Sequence, residues 1–271
     1  MSKVWFVTGS SRGLGRNFVE AALSRGDKVA ATARNVQHLD DLVRAYGDAV
    51  LPLAVDVTDK AAVFESVEQA KEHFGRLDVI VNNAGYGVLS AVEELTEQQL
   101  RDVLETNLFG PLWVTQAALP ILRAQGGGHI IQISSVGGLT AMALGGGYHA
   151  SKWALEGLSE SLQQEVAAFG VKVTIVEPGF YATEGSAGAV HAEVNPLYAD
   201  LRESFASLTK TLEAADPAAA GRAILTLADA ANPPLRVFFG TQGYPMLQQT
   251  YAERLELWSD WQDLAAEGQG V

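Results

Sequence analysis

Short, β-rich apolar runs alternate along this chain with longer segments of helical character. This alternation is typical of repeated strand–helix–strand units, which build a parallel sheet with helices on both faces. We therefore predict an α/β fold, with a doubly wound parallel sheet of about seven strands in a single domain spanning residues 1–271. The predicted strands lie near residues 3–8, 28–32, 50–54, 78–81, 129–134, 171–176 and 235–239. The predicted helices lie near residues 14–25, 36–46, 60–74, 97–124, 148–169 and 217–231.

Two segments depart from this alternation. Residues 180–215 mix small and aromatic side chains without one clear period, and we interpret them as a partly helical flap over a substrate. Residues 244–271 carry an amphipathic pattern that includes Leu255 and Trp258. An apolar stripe on a helix needs a partner surface. We therefore expect this C-terminal tail to pack on the domain or on a neighbouring subunit.

Composition narrows the range of partners and locations. The formal net charge of −13 opposes binding to nucleic acid or to anionic lipid, so neither is an expected partner. The sequence shows neither a signal-peptide pattern nor the run of about 18 apolar residues that a membrane helix needs. It has no cysteine, which fits a reducing compartment. We predict a cytoplasmic protein without a membrane partner.

A glycine-rich turn follows the first predicted strand and leads directly into a helix. Glycines there allow a tight turn and let backbone N–H groups approach a pyrophosphate, while the helix N-terminus favours its negative charge. The glycine spacing alone is a weak signal, but the strand before it and the helix after it are the required context. The candidate cofactor-binding residues of this turn are Gly9, Ser11, Arg12, Gly13, Leu14 and Gly15.

The end of the second predicted strand indicates which dinucleotide binds. NAD-binding folds carry an acidic residue there for the ribose hydroxyls. This chain has Ala33 and Arg34 instead, with no acidic residue before Asp40. A guanidinium suits a 2′-phosphate, and Arg12 offers a second one. We therefore predict NADP(H) rather than NAD(H) as the cofactor, the alternative being that Arg34 is only a solvated loop residue.

Three polar residues form a candidate catalytic group. Tyr148 and Lys152 are four positions apart at the start of a predicted helix, so they share a face. Ser135 lies at the carboxyl end of a predicted strand, the edge where such sheets bind ligands. A nearby cation favours the phenolate, so we expect Lys152 to lower the pKa of Tyr148. The alternative is a strand-end serine, an interfacial tyrosine and a solvated lysine.

Asn107 is a further candidate because Pro111 follows it by four residues in the same predicted helix. Proline has no N–H group, so the Asn107 carbonyl should lose its helical partner. The alternative is an ordinary helix kink. No two histidines fall at a metal-ligand spacing, so we expect no metal in the site.

Together with the Asn-Asn-Ala-Gly motif at 82–85 and the Pro-Gly pair at 178–179, these motifs resemble the short-chain dehydrogenase/reductase family from residue 3 to about 240. The resemblance implies one Rossmann-type domain. In it, Tyr148 is the general acid or base toward a carbonyl or alcohol oxygen, and Ser135 hydrogen-bonds that oxygen. Lys152 would hold the nicotinamide ribose, and the Asn107 carbonyl would bind a water that completes a proton relay.

The resemblance also implies further cofactor contacts and an oligomeric state. Family members usually form a homodimer or homotetramer through the long helices, which here are predicted near 97–124 and 148–169. Sequence does not decide between two and four subunits. The additional residues implied to contact the cofactor are Asp56, Val57, Asn83, Ala84, Gly85, Pro178, Gly179 and Thr183.

The residues expected around the substrate are apolar and aromatic, with few fixed charges, which favours a neutral, hydrophobic ketone or secondary alcohol. Some of them are equally explained as core residues or as contacts to the nicotinamide. The candidate substrate residues are Ser135, Val136, Met142, Leu144, Tyr148, Phe180 and Tyr181, with Tyr198 and Phe205 as further pocket walls.

Three functional hypotheses follow. The leading one is an NADPH-dependent oxidoreductase that reduces a ketone or aldehyde to an alcohol, reversibly, with the proton coming from Tyr148. The second is a dehydrogenase that oxidises a steroid-like or lipid alcohol. The third is a non-catalytic protein that senses NADP(H), against which the full set of Ser135, Tyr148, Lys152 and Asn107 argues.

Overall fold

The computed structural model describes residues 2–183 and 190–270, and its centre is a seven-stranded parallel sheet. Its strands run in the order β3-β2-β1-β4-β6-β7-β9, and every neighbouring pair is parallel. The two short strands β5 and β8 pair separately. The strands are β1 (Val4–Val7), β2 (Lys28–Ala33), β3 (Val50–Ala54), β4 (Val79–Asn82), β5 (Val88–Leu89), β6 (Gly128–Ile133), β7 (Val171–Pro178), β8 (Val190–His191) and β9 (Arg236–Phe239).

Helices cover both faces of this sheet, which confirms the predicted doubly wound α/β fold. The described residues form α1 (Gly13–Ser24), α2 (Asp40–Tyr46), α3 (Lys60–Phe74), α4 (Glu97–Leu104), α5 (Gly110–Ala124), α6 (Gly146–Val166), α7 (Ala199–Thr211), α8 (Pro217–Asp229), α9 (Gly243–Asp260) and α10 (Gln262–Gln269).

The alternation of side chains along β1 explains why there are two helical layers. Successive side chains of a strand point to opposite faces. Trp5 and Val7 pack in one hydrophobic cluster with α1, α2 and α8, whereas Val4 and Phe6 pack in the other with α3, α5 and α6. All four side chains are buried, so β1 is a central strand with an apolar core on each side.

The region predicted as one helix near 97–124 is divided by a π-helical turn. Helix α4 begins at a capping box in which Thr96 and Gln99 each bond the other's backbone. The π-helical turn Glu105–Phe109 joins α4 to α5, whose start contains Pro111. Pro111 lacks the N–H that the i→i−4 ladder needs, so the local geometry departs from the α-helix at this point.

The segment predicted as a flap is described in part, since residues 184–189 lie outside the described residues. Its described part contains β8 and α7, and no residue of α7 is buried. A salt bridge from Arg202 to the buried carboxylate of Glu94 attaches α7 to the loop after β5. The Tyr198 hydroxyl donates to Glu93 Oε2 at 2.6 Å. Neither Tyr198 nor Phe205, which lies on α7, lines the cavity described below.

The C-terminal tail contacts the domain through α9, whose buried residues are Gly243 and Leu247. Further along α9, Arg254 donates to the Leu139 carbonyl at 3.3 Å. No residue of α10 is buried. Among the described residues, no helix combines the length and apolar character that crossing a membrane requires. The tail exposes a group of large apolar side chains: Tyr244, Met246, Tyr251, Leu255, Leu257, Trp258, Trp261 and Leu264.

Candidate active site

A cavity of about 1000 Å³ lies at the carboxyl edge of the sheet, where the loops after six neighbouring strands meet. This is the edge at which open parallel sheets bind ligands. The structure brings together most of the residues singled out from the sequence. The predicted residues that line the cavity are Gly9, Ser11, Arg12, Gly13, Leu14, Arg34, Asp56, Val57, Asn83, Ala84, Gly85, Ser135, Tyr148, Lys152, Pro178, Gly179, Phe180, Tyr181 and Thr183.

Five predicted residues lie behind or beside the cavity lining. Gly15 and Asn107 are buried directly behind it. Val136 is buried, with a methyl group close to Gly243 of α9. Leu144 is buried in the loop before α6, and Met142 is 42% exposed. The structure therefore does not bring these last three side chains, expected at the substrate, to the cavity surface.

The glycine turn is held by close backbone packing against the loop after β4. Gly9 has a φ of +67°, which glycine adopts without strain. The Asn83 Nδ2 donates to the carbonyls of Thr8 at 2.9 Å and Gly9 at 3.1 Å. A Cβ at Gly15 would collide with that amide and with the Gly9 carbonyl. Asn83 therefore shapes the loop that begins α1, besides lining the cavity.

The arginines near the turn separate into two kinds. Arg12 and Arg34 are exposed and line the cavity. Arg16 faces the other way: its Nε lies 2.7 Å from Glu20 Oε1, and it also pairs with Asp41. These ion pairs raise the Arg16 pKa and lower that of Asp41 to about 2. The guanidinium groups that line the cavity at this end are therefore the two expected from the sequence.

Asn107 lies in the π-helical turn and is fully buried. Its Oδ1 accepts from the Tyr86 N–H at 3.1 Å, while its Nδ2 donates to the Tyr86 carbonyl at 2.9 Å and to Ser151 Oγ at 3.0 Å. The side chain thus joins α6 to the loop after β4 and fixes Tyr86 at the cavity. The relay through its backbone carbonyl stays a prediction.

Tyr148 lies in the first turn of α6, facing Ser135 at the end of β6. Burial raises the pKa of Tyr148, and a hydrogen-bonding interaction with the Ser135 side chain acts in the opposite direction. The net direction is opposite to the expected lowering by Lys152, because loss of solvent disfavours the phenolate more than its neighbours favour it. A neutral phenol at this position is suited to donate a proton.

Lys152 is buried on the same helix face, one turn after Tyr148. Its Nζ donates to the Ile133 carbonyl at 2.8 Å and lies 5.9 Å from the centroid of the Tyr148 ring. Burial lowers the Lys152 pKa to about 8, against the opposing effect of Glu156. The ammonium form still predominates at neutral pH, so a positive charge stands beside Tyr148.

Behind Lys152 lies a buried ionic cluster that the sequence analysis missed. Arg236 Nε is 3.0 Å from Glu156 Oε2 and 3.7 Å from Glu177 Oε1. Burial, and next the charge of Glu156, raise the Glu177 pKa to about 8. Glu156 follows Lys152 by four positions, so helix spacing was an available signal. Glu177 lies on β7 and Arg236 on β9. Sequence offers no such signal for these two residues.

Other lining residues were also missed. Most are sequence neighbours of predicted residues, and three come from the α4 end and the π-helical turn. They are Ala33, Val55, Thr58, Tyr86, Gly87, Asp102, Glu105, Thr106, Ile133, Ser134 and Val190.

The fold and the site together define a class of protein. A glycine turn at a helix N-terminus, beside a serine, a tyrosine and a lysine at the carboxyl edge of a parallel sheet, is the arrangement of a Rossmann-type dinucleotide-binding oxidoreductase. Residues 3–193 match the family model described as short chain dehydrogenase. The chain belongs to this family, whose members are oxidoreductases acting on CH–OH or C=O groups.

Relatives of known sequence agree with this membership. The chain is 43% identical over 245 residues to Oxidoreductase BOA17 of Botryotinia fuckeliana, with 89% of each protein covered. It is 34% identical over 256 residues to the 3-ketodihydrosphingosine reductase of Bacteroides thetaiotaomicron, with 93% of this chain and 91% of that protein covered.

Solved structures agree as well. A short-chain dehydrogenase from Streptomyces avermitilis superposes with a TM-score of 0.92 at 40% identity, with 98% of each chain covered. A short chain dehydrogenase from Burkholderia cenocepacia in complex with NADP has a TM-score of 0.75 at 27% identity, with 96% of this chain and 97% of that chain covered.

Proposed function

We propose that this protein is an NADPH-dependent reductase that converts a neutral, hydrophobic ketone or aldehyde into an alcohol, reversibly. The observation that carries the proposal is the meeting of Ser135, Tyr148 and Lys152 in the cavity that also holds the glycine turn. The relative that is named as a 3-ketodihydrosphingosine reductase supports a lipid-like ketone as the substrate class. Phe180, Tyr181 and Val190 supply apolar surface in the cavity.

When bound, the nicotinamide supplies the hydride. In the direction of reduction, Tyr148 donates its phenolic proton to the carbonyl oxygen, and its raised pKa keeps that proton available at neutral pH. The Ser135 hydroxyl orients the same oxygen. The ammonium group of Lys152 stabilises the phenolate that remains. In the direction of oxidation the same groups act in reverse, with Tyr148 as the base.

The residues at the other end of the cavity fit NADP(H). The glycine turn presents the N-terminus of α1 to the cavity, as a pyrophosphate requires. Arg12 and Arg34 are the residues that we assign to the 2′-phosphate, since both line the cavity. The neighbouring structure from Burkholderia cenocepacia, which contains NADP, supports this choice.

Replacing Tyr148 with Phe tests the proposed acid. We expect kcat for reduction of ketones to fall by about 10²–10⁴-fold, because the phenyl ring has no proton to give. NADPH affinity, measured by fluorescence titration, should stay within about twofold. Tyr244→Phe, at an exposed tyrosine of α9, is the matched control. A Tyr148→Phe enzyme that keeps its turnover would show that the acid is another group.

Replacing Arg34 with Ala tests the cofactor preference. We expect KM for NADPH to rise by about 10- to 100-fold and KM for NADH to change little, because only the former carries the 2′-phosphate. Arg44→Ala, at an exposed arginine of α2, is the control. Initial rates at varied NADPH and NADH concentrations give both KM values. The carbonyl substrate is chosen from a panel of small ketones, aryl ketones and steroids. Equal effects on both cofactors would contradict the assignment.

We also propose that the protein acts in the cytoplasm as a homodimer or homotetramer. The exposed apolar residues of the C-terminal tail support association, since scattered single residues need no partner but a group of large ones on one segment does. The expected cytoplasmic location is open to cell fractionation.

A further inference from the structure

His149 follows Tyr148 on α6 and, unlike Tyr148, does not line the cavity. Its side chain is buried, with the residue only 6% exposed, and its ring centroid lies 5.9 Å from that of Tyr148. The ring is wedged between two loop segments that flank the site. One is the turn Val136–Gly138, which follows Ser135, and the other is the loop 139–145, which precedes α6.

Two hydrogen bonds determine which form of the imidazole fits there. The Nδ1 lies 2.8 Å from the Gly137 carbonyl oxygen, which can only accept a hydrogen bond. The Met142 backbone N–H, which can only donate, points to Nε2 at 3.1 Å. The two bonds form together only when Nδ1 carries the proton and Nε2 carries none. The neutral Nδ1-protonated tautomer is therefore the form that matches its surroundings.

Both segments have a glycine beside the imidazole, and the absence of a Cβ at these positions leaves room for the ring. A Cβ at Gly137 would lie 2.8 Å from Nδ1, and a Cβ at Gly145 would lie 2.5 Å from Nε2. Within the second segment, Leu144 has a φ of +66°, a backbone conformation that costs free energy for a residue with a Cβ. The loop keeps this conformation through a few specific bonds. The bond from Met142 to His149 is one, and the bond from the Ser90 N–H to the Leu144 carbonyl at 2.8 Å is another.

The hydrogen bond between His149 and Gly137 links the imidazole to Ser135, one of the proposed reacting residues. The Gly137 N–H donates to Ser135 Oγ at 3.0 Å, so the position of this glycine orients the serine hydroxyl. His149 holds the carbonyl of the same glycine and is covalently next to Tyr148. One buried ring thus connects the two side chains that would share the substrate oxygen.

We propose that His149, as its neutral Nδ1-protonated tautomer, is a positioning residue for the reaction. It holds the Gly137 and Met142 segments in place and thereby sets the Ser135 hydroxyl relative to Tyr148. The effect on catalysis rests on the proposed function, whereas the tautomer does not. Loss of these two bonds reduces kcat on carbonyl substrates and leaves NADPH binding intact, since they hold Gly137 and Met142 and not the glycine turn.

Nitrogen-15 NMR of the unaltered protein tests the tautomer directly. We expect the His149 ring to show a protonated Nδ1 and an unprotonated Nε2 at neutral pH. The signal is identified among the five histidines by its loss in His149→Gln. An Nε2-protonated or doubly protonated ring would overturn the inference. This readout needs no activity, so it separates failure of the inference from failure of the proposed reductase, which Tyr148→Phe tests.

Three substitutions then test the positioning role. His149→Phe keeps a ring but removes both bonds, and we expect kcat to fall 10- to 100-fold with the NADPH dissociation constant within twofold. His149→Asn places an amide N–H near the Nδ1 position and should restore most of kcat through Gly137. His149→Gln places an amide oxygen near Nε2, so it should restore the Met142 bond and less of kcat.

A buried histidine elsewhere provides the control. His129 Nε2 bonds Thr174 Oγ1 at 2.9 Å between β6 and β7, so His129→Asn should lower the melting temperature and leave kcat unchanged. Unchanged kcat in His149→Phe would overturn the proposal. So would equal losses of kcat in the Phe and Asn variants, since a merely structural role has no reason to prefer the amide.

Discussion

At the scale of single residues, burial decides the protonation of the groups around Tyr148. Burial disfavours the charged form of any side chain, so it raises the pKa of an acid and lowers that of a base. It raises the pKa of Tyr148 and of Glu177, and lowers that of Lys152 to about 8. Arg236 opposes the effect on Glu177 without cancelling it. The site thus combines a neutral phenol with a cation on one helix face.

The raised pKa of Glu177 predicts that stability depends on pH. Its pKa is about 8 in the folded chain and about 4.5 in the unfolded chain, so between these values the folded state binds more protons. The free energy of unfolding therefore falls as the pH rises from about 4.5 to about 8. We expect Glu177→Gln to remove part of this fall and to be more stable than the parent at pH 8, by about 1–3 kcal/mol.

Thermal unfolding of both proteins at pH 5.5 and pH 8 measures this difference. The matched control is Glu160→Gln, which changes an exposed carboxylate that pairs with the same Arg236. Its effect should stay below about 0.5 kcal/mol at either pH. A gap between Glu177→Gln and the parent that is the same at both pH values would contradict the buried-acid account.

Sequence predicts the position of a site residue when its neighbours in the site are also near it in the chain. Tyr148 and Lys152 share a helix, and Ser135 follows the end of the preceding strand by two residues, so local spacing predicts that they meet. The side chains of Met142 and Leu144 were expected at the substrate but lie elsewhere. Their loop follows tertiary bonds to His149 and Ser90, which no local pattern indicates.

At the scale of elements, the glycine turn keeps its position because the loops after β1 and β4 are hydrogen-bonded to each other. Thr8 Oγ1 accepts from the N–H groups of both Asn83 and Ala84 at 3.0 Å, and Asn83 donates back to the turn. Backbone from the ends of β1 and β4 is thereby joined. The N-terminus of α1 is held at the cavity by this junction and not by a side-chain cap, since Arg12 makes no capping bond to the helix.

Replacing Gly15 with Ala should break this junction. The new methyl group would collide with the Gly9 carbonyl and the Asn83 amide, so we expect a loss of about 1–3 kcal/mol in stability and weaker NADPH binding. Gly157→Ala is the contrasting variant, because a Cβ on this exposed residue of α6 meets nothing within 4 Å. It should add about 0.5–1 kcal/mol. Chemical denaturation checks both, and a stable Gly15→Ala protein would contradict the collision.

Predictions for elements succeed where one physical signal dominates. The seven strands of the main sheet follow from apolar runs bounded by loop residues, and the structure has a strand near each predicted one. The π-helical turn Glu105–Phe109 was not predicted, although Pro111 marked its position. The pairing of β5 with β8 was also missed, because two-residue strands have no periodicity to detect.

At the scale of the whole molecule, the unpartnered apolar surface of the tail predicts association. Leu255 and Trp258 are each about 60% exposed and three positions apart on α9, so they share a face. We expect light scattering to give a mass of two or four times 28.8 kDa, and the double variant Leu255→Ser with Trp258→Ser to dissociate at least tenfold more readily.

A matched surface change isolates this effect. Leu197, at 86% exposure in the segment before α7, is the control, and Leu197→Ser should leave the mass unchanged. A parent protein that is monomeric at all concentrations would refute the proposed assembly, and an unaffected double variant would move the interface elsewhere.

The two-layer packing around β1 also sets an order of events during synthesis. Apolar residues of α1, such as Phe18, share a cluster with Ile224 of α8, and Lys3 bonds the Ala228 carbonyl 225 positions away. A ribosome that adds about 5–20 residues per second takes about 10 to 45 s to cover that distance. For that interval α1 can pack only against early elements of its cluster such as β1, β2 and α2, and the part of its apolar surface that α8 buries in the finished protein stays exposed in the nascent chain.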